Sequence, residues 1–123
     1  MELLLSDEQK LLRDSAATLV ERSAGPKRAR ELRDNSEETD RAAWKDVAEA
    51  GWLGILAGEG SGGLGLGMTE LALVIEQAGC GLMAAPIAAA AVAARALGES
   101  DSPKLRDEIA PAIIAGDLIV AAA

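Results

Sequence analysis

The sequence predicts an all-α protein, a helical bundle of about five to six helices with a short terminal strand that leads into a missing β-domain. Apolar residues recur at three- and four-residue spacing through most of the chain, which is the period of a helix with one buried side. Capping residues, prolines and glycines lie where such helices would begin and end. The single convincing strand-like run, residues 118–120, has no earlier run with which it could pair.

The first helix is predicted at residues 7–24. Ser6 and Gln9 form a capping box, because their spacing lets each side chain bind the backbone amide of the other at a helix start. The apolar positions of this helix form one stripe: Leu11, Leu12, Ala16, Leu19 and Val20. A Gly-Pro pair ends the helix, and the proline can open a short basic helix at residues 26–32.

A third helix is predicted at residues 41–50, after an acidic loop. Thr39 or Asp40 can cap it, because a short polar side chain accepts hydrogen bonds from the first free amides of a helix. Trp44 lies on the apolar face of this helix, so we expect it to contact the core. A glycine ends the helix, and a short apolar segment follows at residues 52–57.

Six glycines between residues 58 and 67 predict a loop, since glycine adopts positive φ without steric cost. Residues 60–65 match the G-x-G-x-x-G pattern of dinucleotide-binding loops, which also requires a β-α-β unit and an acid for the ribose. No acid lies between Glu76 and Glu99, and the second strand is replaced by an Ala-rich stretch. The surrounding sequence therefore disfavours a nucleotide site.

Three further helical segments follow the glycines. Thr69 can cap a helix at residues 70–78. An Ala-rich helix at residues 85–97 has Pro86 in its first turn, where a backbone amide has no helical partner in any case. A shorter helix is predicted at residues 102–109.

The chain ends in a turn and an extended segment. Pro111 begins a last helical turn, which Gly116 closes. The remaining residues should be extended, and a buried strand needs partners for its backbone amides. We therefore divide the chain into a helical domain, residues 1–116, and the start of a truncated β-domain, residues 117–123, whose sheet is expected downstream.

Composition excludes several classes of function. A formal net charge of −8 and an aromatic content of 2% oppose binding to nucleic acid. The absence of histidine and the single cysteine exclude a disulfide framework, a cysteine-rich zinc site and Ser-His catalysis. Cys80 has no imidazole to activate it and is expected to be a small filler at a helix end. The densest basic cluster is expected to be a solvated helix face, with an anion contact as the alternative: Lys27, Arg28, Arg30 and Arg33.

The sequence predicts neither export nor a membrane span. Residues 1–10 carry acids before any base and lack a cleavage site, so they do not resemble a secretory signal. The longest apolar stretch, residues 82–94, is shorter than the ~20 residues needed to cross a bilayer. We therefore expect a cytoplasmic protein.

Three motifs in the middle of the chain occur in a known order. A tryptophan-bearing helix leads to Gly-Trp-Leu-Gly-Ile at residues 51–55, then to Gly-Gly-Leu-Gly-Leu-Gly at residues 62–67, then to a helix that ends in Glu-Gln-Ala-Gly at residues 76–79. In this order the chain resembles the amino-terminal helical domain of the acyl-CoA dehydrogenase family. The similarity continues with lower specificity into the Ala-rich helix and into residues 115–119.

The resemblance implies a three-domain oxidoreductase in which a carboxylate removes the α-proton of an acyl-CoA and a β-hydride passes to FAD. The catalytic carboxylate and most flavin contacts belong to later domains, so no catalytic or cofactor-binding residue is assigned here. Glu76 belongs to the helix-end pattern and is interpreted as structural. In this family the glycine loop serves a tight chain reversal beside the pocket. The implied partners are the acyl-CoA substrate and flavin-bearing domains or a partner subunit, in a homo- or hetero-oligomer.

The resemblance also implies that the helix at residues 85–97 forms a wall at the far end of the acyl pocket. Its inner positions, at helical spacing, are Ala85, Ala88, Ala89 and Val92. These small side chains would leave room for a bulky or branched acyl group, or alternatively would permit close helix packing. A free-standing helical module bound to a catalytic partner is the alternative to an enzyme fragment. A paired or folded-back segment 118–120 would favour the module, and exposed apolar surface would favour the fragment.

Overall fold

A computed structural model describes residues 3–121 and confirms the all-α class, since every regular element in this range is helical. The helices are α1 (Asp7–Ser23), α2 (Pro26–Asp34), α3 (Arg41–Glu49), α4 (Met68–Cys80), α5 (Ile87–Gly98) and α6 (Ala110–Ile114). Two 3₁₀ turns, Trp52–Gly54 and Glu59–Ser61, lie between α3 and α4, and a π-helical segment, Leu105–Ile109, leads into α6. No helix in the described range is long and apolar enough to cross a membrane.

The predicted capping box of α1 is confirmed and extends to a second helix. The Gln9 backbone amide donates to Ser6 Oγ at 3.1 Å, and the Ser6 amide donates to Gln9 Oε1 at 2.9 Å. Gln9 Nε2 also donates to Glu70 Oε1 at 2.8 Å, and Glu70 Oε2 accepts a 3.0 Å hydrogen bond from the Gly67 amide at the start of α4. The two helix N-termini are therefore linked by one hydrogen-bonded chain.

Helices α1 and α4 pack against each other, and the structure corrects one prediction in each of them. Leu11, predicted in the apolar stripe of α1, is 72% exposed, because the buried side of the helix is centred on Ala16, one turn and a half further on. Helix α4 begins at Met68 after Gly67, and not at residue 70 after Thr69. The Glu70 carboxylate supplies the cap from inside the helix, so Thr69 is not needed for that role.

Asp40 joins three parts of the fold. Its Oδ1 accepts hydrogen bonds from the amides of Ala42 and Ala43, both at 3.2 Å, and so caps α3 as predicted. Arg28 of α2 donates to both oxygens, from Nε to Oδ2 at 2.8 Å and from Nη2 to Oδ1 at 3.1 Å. The Asp40 backbone amide donates to the carbonyl of Ala84, just before α5, at 3.0 Å. The side chain is only 2% exposed, and all of its bonds are to charged or backbone donors.

The ion pair corrects the interpretation of the basic cluster. Lys27, Arg30 and Arg33 are exposed, as predicted for a solvated face. Arg28 instead turns inward to the buried carboxylate of Asp40. Asp40 lies outside α2, at the N-cap of α3, so the helical spacing of the basic residues did not indicate this contact.

Trp44 lies in the core, as predicted, and fixes the end of α6. Its indole Nε1 donates to the carbonyl of Gly116 at 2.9 Å. Gly116 has a φ of +82°, and a Cβ there would lie 2.8 Å from that of Ala48. Only glycine satisfies both the backbone conformation and the close approach.

Two helix boundaries differ from the predictions because of proline. Pro86 occupies the N-cap position of α5, without a side-chain cap, so the helix begins at Ile87. Ala85 also lies outside it, because the residue before a proline is disfavoured in the helical conformation. The predicted regular helix at residues 102–109 contains the π-helical segment Leu105–Ile109. Pro111 has no amide to donate to the carbonyl of Asp107, which breaks the regular hydrogen-bonding pattern there.

The predicted strand at residues 118–120 has no strand partner in residues 3–121. The Asp117 amide donates to the carbonyl of Ala112 at 3.0 Å, which turns the chain back after α6. Leu118 and Ile119 are 40% and 37% exposed, whereas Val120 is half-buried against the core. Residues 122 and 123 of the predicted second domain lie outside the described residues.

Replacing Asp40 with alanine removes a helix cap and leaves Arg28 without its buried partner. We expect Asp40→Ala to lower the free energy of unfolding by about 2 kcal/mol, since a lost N-cap costs about 1 kcal/mol and a lost buried ion partner adds to it. Urea denaturation followed by circular dichroism measures this change. Asp34→Ala is the control, because it removes an exposed ion pair with Arg33 and should cost less than about 0.5 kcal/mol. Equal costs would contradict the role of Asp40.

The stabilisation by Asp40 should depend on pH. The Arg28 hydrogen bond, aided by the amides of Ala43 and Ala42, holds the pKa of Asp40 below its ordinary value against the opposing effect of burial. The stabilisation is therefore complete above the ordinary aspartate pKa of about 3.9 and is lost as the pH falls through the lowered value. The difference in unfolding free energy between wild type and Asp40→Ala should be constant near neutral pH and shrink in acid. A difference that grows on acidification would refute this assignment.

Candidate functional site

Helix α5 has an inner and an outer face, both built from small residues. The inner face is fully buried in the core: Ile87, Ala90, Ala91 and Ala94. Three of the four residues predicted as the inner, pocket-lining positions, Ala88, Ala89 and Val92, lie instead on the outer face, which is turned away from the core, and Val92 is 53% exposed. The inner face of α5 thus packs closely in the core, and the outer face leaves its small side chains open to the surface.

The outer face forms one side of an apolar groove of about 450 Å³. The groove is lined by Ala88, Ala89, Val92, Ala93, Val120 and Ala121. None of these side chains carries a charge or a hydrogen-bonding group. The groove can therefore hold an apolar group, and its lining offers neither an acid nor a base.

Ala85, the fourth predicted residue, lies just outside α5 and lines two neighbouring concavities. One, of about 410 Å³, also involves Pro86 and Val120. The other, of about 400 Å³, also involves Ile75 and Met83. The second shares Ala88 and Ala89 with the groove, so the four predicted residues line one continuous stretch of surface.

Val120 and Ala121 are lining residues that the sequence analysis missed. Their apolar, β-prone run was interpreted only as the start of a strand, and the contact with α5 is made between distant parts of the chain. The run of small and β-branched residues beside an alanine-rich helix was the available signal, but it carries no information on pairing.

The turn before α5 fixes where the groove begins. The Met83 amide donates to the carbonyl of Ala78 at 2.9 Å, and the Ala85 amide donates to the carbonyl of Met83 at 3.1 Å. The carbonyl of Ala84 accepts the backbone hydrogen bond from Asp40. The capping residue of α3 thus also holds the start of α5.

Charged residues lie only near the ends of the outer face. Arg95 Nε lies 3.3 Å from Glu99 Oε1, near the carboxyl end of α5. Glu76 is exposed on α4 and does not line the groove. The described residues contain no cluster of three acidic or cysteine side chains that could hold a metal ion.

Cys80 ends α4 but does not fill space there. It is exposed, because the buried side of α4 runs through Leu71, Val74 and Ala78 and Cys80 lies two residues beyond that line. The prediction of a small filler is therefore wrong in its packing, although the position at a helix end is correct.

The glycine loop reverses the chain and uses its own amides to do so. The amides of Leu64, Gly65 and Leu66 donate to the carbonyls of Gly54, Ala57 and Ile55, at 2.9, 2.8 and 2.8 Å respectively. The Gly63 amide donates to Gly58 at 3.0 Å. These amides have no hydrogen left for a phosphate, and the Glu70 carboxylate occupies the following helix start. Within the G-x-G-x-x-G stretch, every amide after Gly60 is therefore already bonded, and the row of free amides that a dinucleotide site needs is not present there.

Comparisons with known proteins match this architecture. A sequence model described as "Acyl-CoA dehydrogenase, N-terminal domain" matches residues 6–117. The chain is 33% identical over 107 residues to Acyl-CoA dehydrogenase FadE27 of Mycobacterium tuberculosis, covering 86% of this chain and 29% of that protein. It is 38% identical over 73 residues to the mitochondrial isovaleryl-CoA dehydrogenase of Pongo abelii, covering 59% of this chain and 17% of that protein.

Two solved structures share the fold. The ChsE4-ChsE5 complex from Mycobacterium tuberculosis superposes with a TM-score of 0.84 at 30% identity, covering 97% of this chain and 33% of that chain. A variant of the Tcur3481-Tcur3483 steroid ACAD superposes with a TM-score of 0.80 at 28% identity, covering 92% of this chain and 31% of that chain. The chain thus spans about a third or less of the length of each of these proteins.

Alanine substitutions at two glycines of the loop should show whether a glycine is needed for close packing or only for backbone freedom. A Cβ at Gly63 would overlap the carbonyl of Ala57, whereas a Cβ at Gly60 meets nothing within 4 Å. We expect Gly63→Ala to lower the free energy of unfolding by about 2 kcal/mol or more, because the clash is with backbone that cannot turn aside. Gly60→Ala should change it by less than about 0.5 kcal/mol. Thermal and urea unfolding of both variants make the comparison, and similar losses would argue against the close packing.

Proposed function

The chain belongs to the acyl-CoA dehydrogenase family as its amino-terminal domain, and we propose that it forms one wall of the acyl pocket in an FAD-dependent dehydrogenase. That enzyme oxidises the Cα–Cβ bond of an acyl-CoA thioester, and FAD, when bound, accepts the hydride. The glycine loop has no free row of amides for a flavin phosphate, which supports binding of FAD mainly by other domains. In this proposal the chain binds the acyl group and shapes its pocket but supplies no acid or base, since the groove lining holds no titratable group.

The observation that carries the proposal is the apolar groove on the outer face of α5. Ala88, Ala89 and Val92 point away from the core of this domain and present only methyl and isopropyl groups. An exposed apolar surface of this kind is stabilised when a ligand or another domain covers it. An acyl chain has the apolar character that the lining requires.

We further propose that the acyl group is bulky or branched. The lining is made of alanine and valine, whose small side chains leave room in the groove, and the buried inner alanines of α5 pack the helix tightly against the core. The similar proteins include an isovaleryl-CoA dehydrogenase and a steroid ACAD, which is consistent with this class of substrate.

The proposal extends to the arrangement of the complete protein. Residues 117–123 would begin a middle β-domain after the helical domain at residues 1–116, in a cytoplasmic homo- or hetero-oligomer. The exposure of Leu118 and Ile119 supports a covering domain or subunit. The ChsE4-ChsE5 structure is itself a complex of two differently named chains.

A free-standing module that binds a catalytic partner is the second candidate. The partial burial of Val120 against the core favours it, because a folded-back terminus would let this chain exist alone. Analytical ultracentrifugation and the fluorescence of a hydrophobic dye, both on residues 1–123, distinguish the module from the fragment. A stable monomer that does not bind the dye supports the module, and self-association with dye binding supports the fragment.

The acyl-pocket role is tested by narrowing the groove in the assembled, FAD-loaded dehydrogenase. We expect Ala89→Leu to lower kcat/KM for a branched or ring-bearing acyl-CoA about tenfold or more and to leave butyryl-CoA nearly unchanged, since overpacking an apolar site costs about 1–3 kcal/mol. Ala72→Leu, at an exposed position of α4, is the matched control and should alter neither rate. Equal effects of the two variants, or wild-type activity confined to short straight chains, would reject the proposal.

A further inference from the structure

We propose that Val120 is a specificity-determining residue, whose side chain sets the size of the acyl group that the α5 groove admits. The inference rests on the proposed function of that groove. Val120 comes from the segment after α6, far in sequence from the start of α5.

Val120 lies between two concavities. It lines the groove of about 450 Å³ together with Ala88, Ala89 and Val92. It also lines the concavity of about 410 Å³ together with Ala85 at the start of α5 and with Glu38 and Thr39 before α3. The two concavities therefore meet at Val120, and a smaller side chain there would widen the connection between them.

Val120 is also the side chain through which the size of the groove can increase. Ala88, Ala89 and Ala93 already carry the smallest side chains that a helix readily accommodates. Val92 is half-exposed at the outer edge, whereas Val120 packs partly against the core. A β-branched side chain has few χ1 rotamers, so Val120 cannot readily turn aside for a larger ligand.

Of the neighbouring residues, Ala121 also lines both concavities, but its methyl group is smaller than the isopropyl group of Val120. Leu118 lines neither concavity and is 40% exposed. Ile119 lines only the smaller of the two concavities. Val120 is therefore the larger of the two side chains that line both concavities.

Hydrogen bonds to the helical core hold the segment just before Val120. Trp44 Nε1 binds the carbonyl of Gly116, four residues before Val120, at 2.9 Å. The amides of Asp117 and Leu118 both donate to the carbonyl of Ala112, at 3.0 and 3.4 Å, so only Ile119 lies between these bonds and Val120. Since each residue spans at most about 3.6 Å, Val120 can move little while these bonds remain. Trp44 is thus a positioning residue for the groove.

The placement is tested first in the chain itself. With methyl-labelled alanine and valine, nuclear Overhauser contacts between Val120 and Ala89 should be present in residues 1–123. They should weaken in Trp44→Phe, which keeps a ring in the core but loses the hydrogen bond to Gly116. Absence of the contacts in the wild-type chain would overturn the inference.

The specificity is tested in the assembled, FAD-loaded dehydrogenase by the ratio of kcat/KM for a ring-bearing acyl-CoA to that for butyryl-CoA. We expect Val120→Ala to raise this ratio and Val120→Phe to lower it, each by about tenfold, the discrimination that one or two methyl groups give in an apolar pocket. Leu118→Ala, in the same segment, should leave the ratio unchanged.

The outcomes separate this inference from the function on which it rests. If Ala89→Leu changes the ratio and both Val120 variants do not, the role of Val120 is wrong and the acyl-pocket function stands. If neither position changes the ratio, both are wrong. Melting curves of each variant show that the rates compare folded proteins, and opposite shifts for the smaller and larger side chain cannot come from a general loss of stability.

Discussion

The buried carboxylate of Asp40 is the interaction on which the arrangement of the helices depends. It caps α3, holds α2 through Arg28, and its own backbone amide holds the turn before α5. A carboxylate that is 2% exposed is tolerated in a fold of this size only because several donors converge on it. The geometry of these donors fixes where α5 starts, and through α5 it fixes the outer face on which the groove lies.

Small residues let the backbone segments approach closely in a core that has almost no aromatic side chains. The glycine loop returns onto the segment after α3 with Gly63 against Ala57, and α5 buries three alanines completely. Two tryptophans are the exception, and Trp44 uses its indole as a hydrogen-bond donor to tie the end of α6 to α3. Interior packing at native density then leaves little tolerance for added volume on the inner face of α5.

Sequence patterns within single helices predicted most of the fold. The contacts that complete the groove join residues that are far apart in the sequence, so such patterns could not predict them. The capping box of α1, the cap at Asp40 and the central position of Trp44 follow from spacing within one helix. The start of α4 was missed because its cap, Glu70, is also held by Gln9, 61 residues earlier. In the same way, helical periodicity places three of the α5 residues on one face and the family resemblance implied their place in a pocket, but Val120 reaches the groove only through the tertiary turn at Gly116.

Helix α5 carries alanine on two sides, and substitutions on the two sides have different consequences. A change on the inner side disturbs the close-packed interior, so its cost appears in the stability of the whole domain. A change on the outer side alters only the shape of the space beyond it. The surface that such a domain presents can therefore diverge by single substitutions while the scaffold beneath it remains intact.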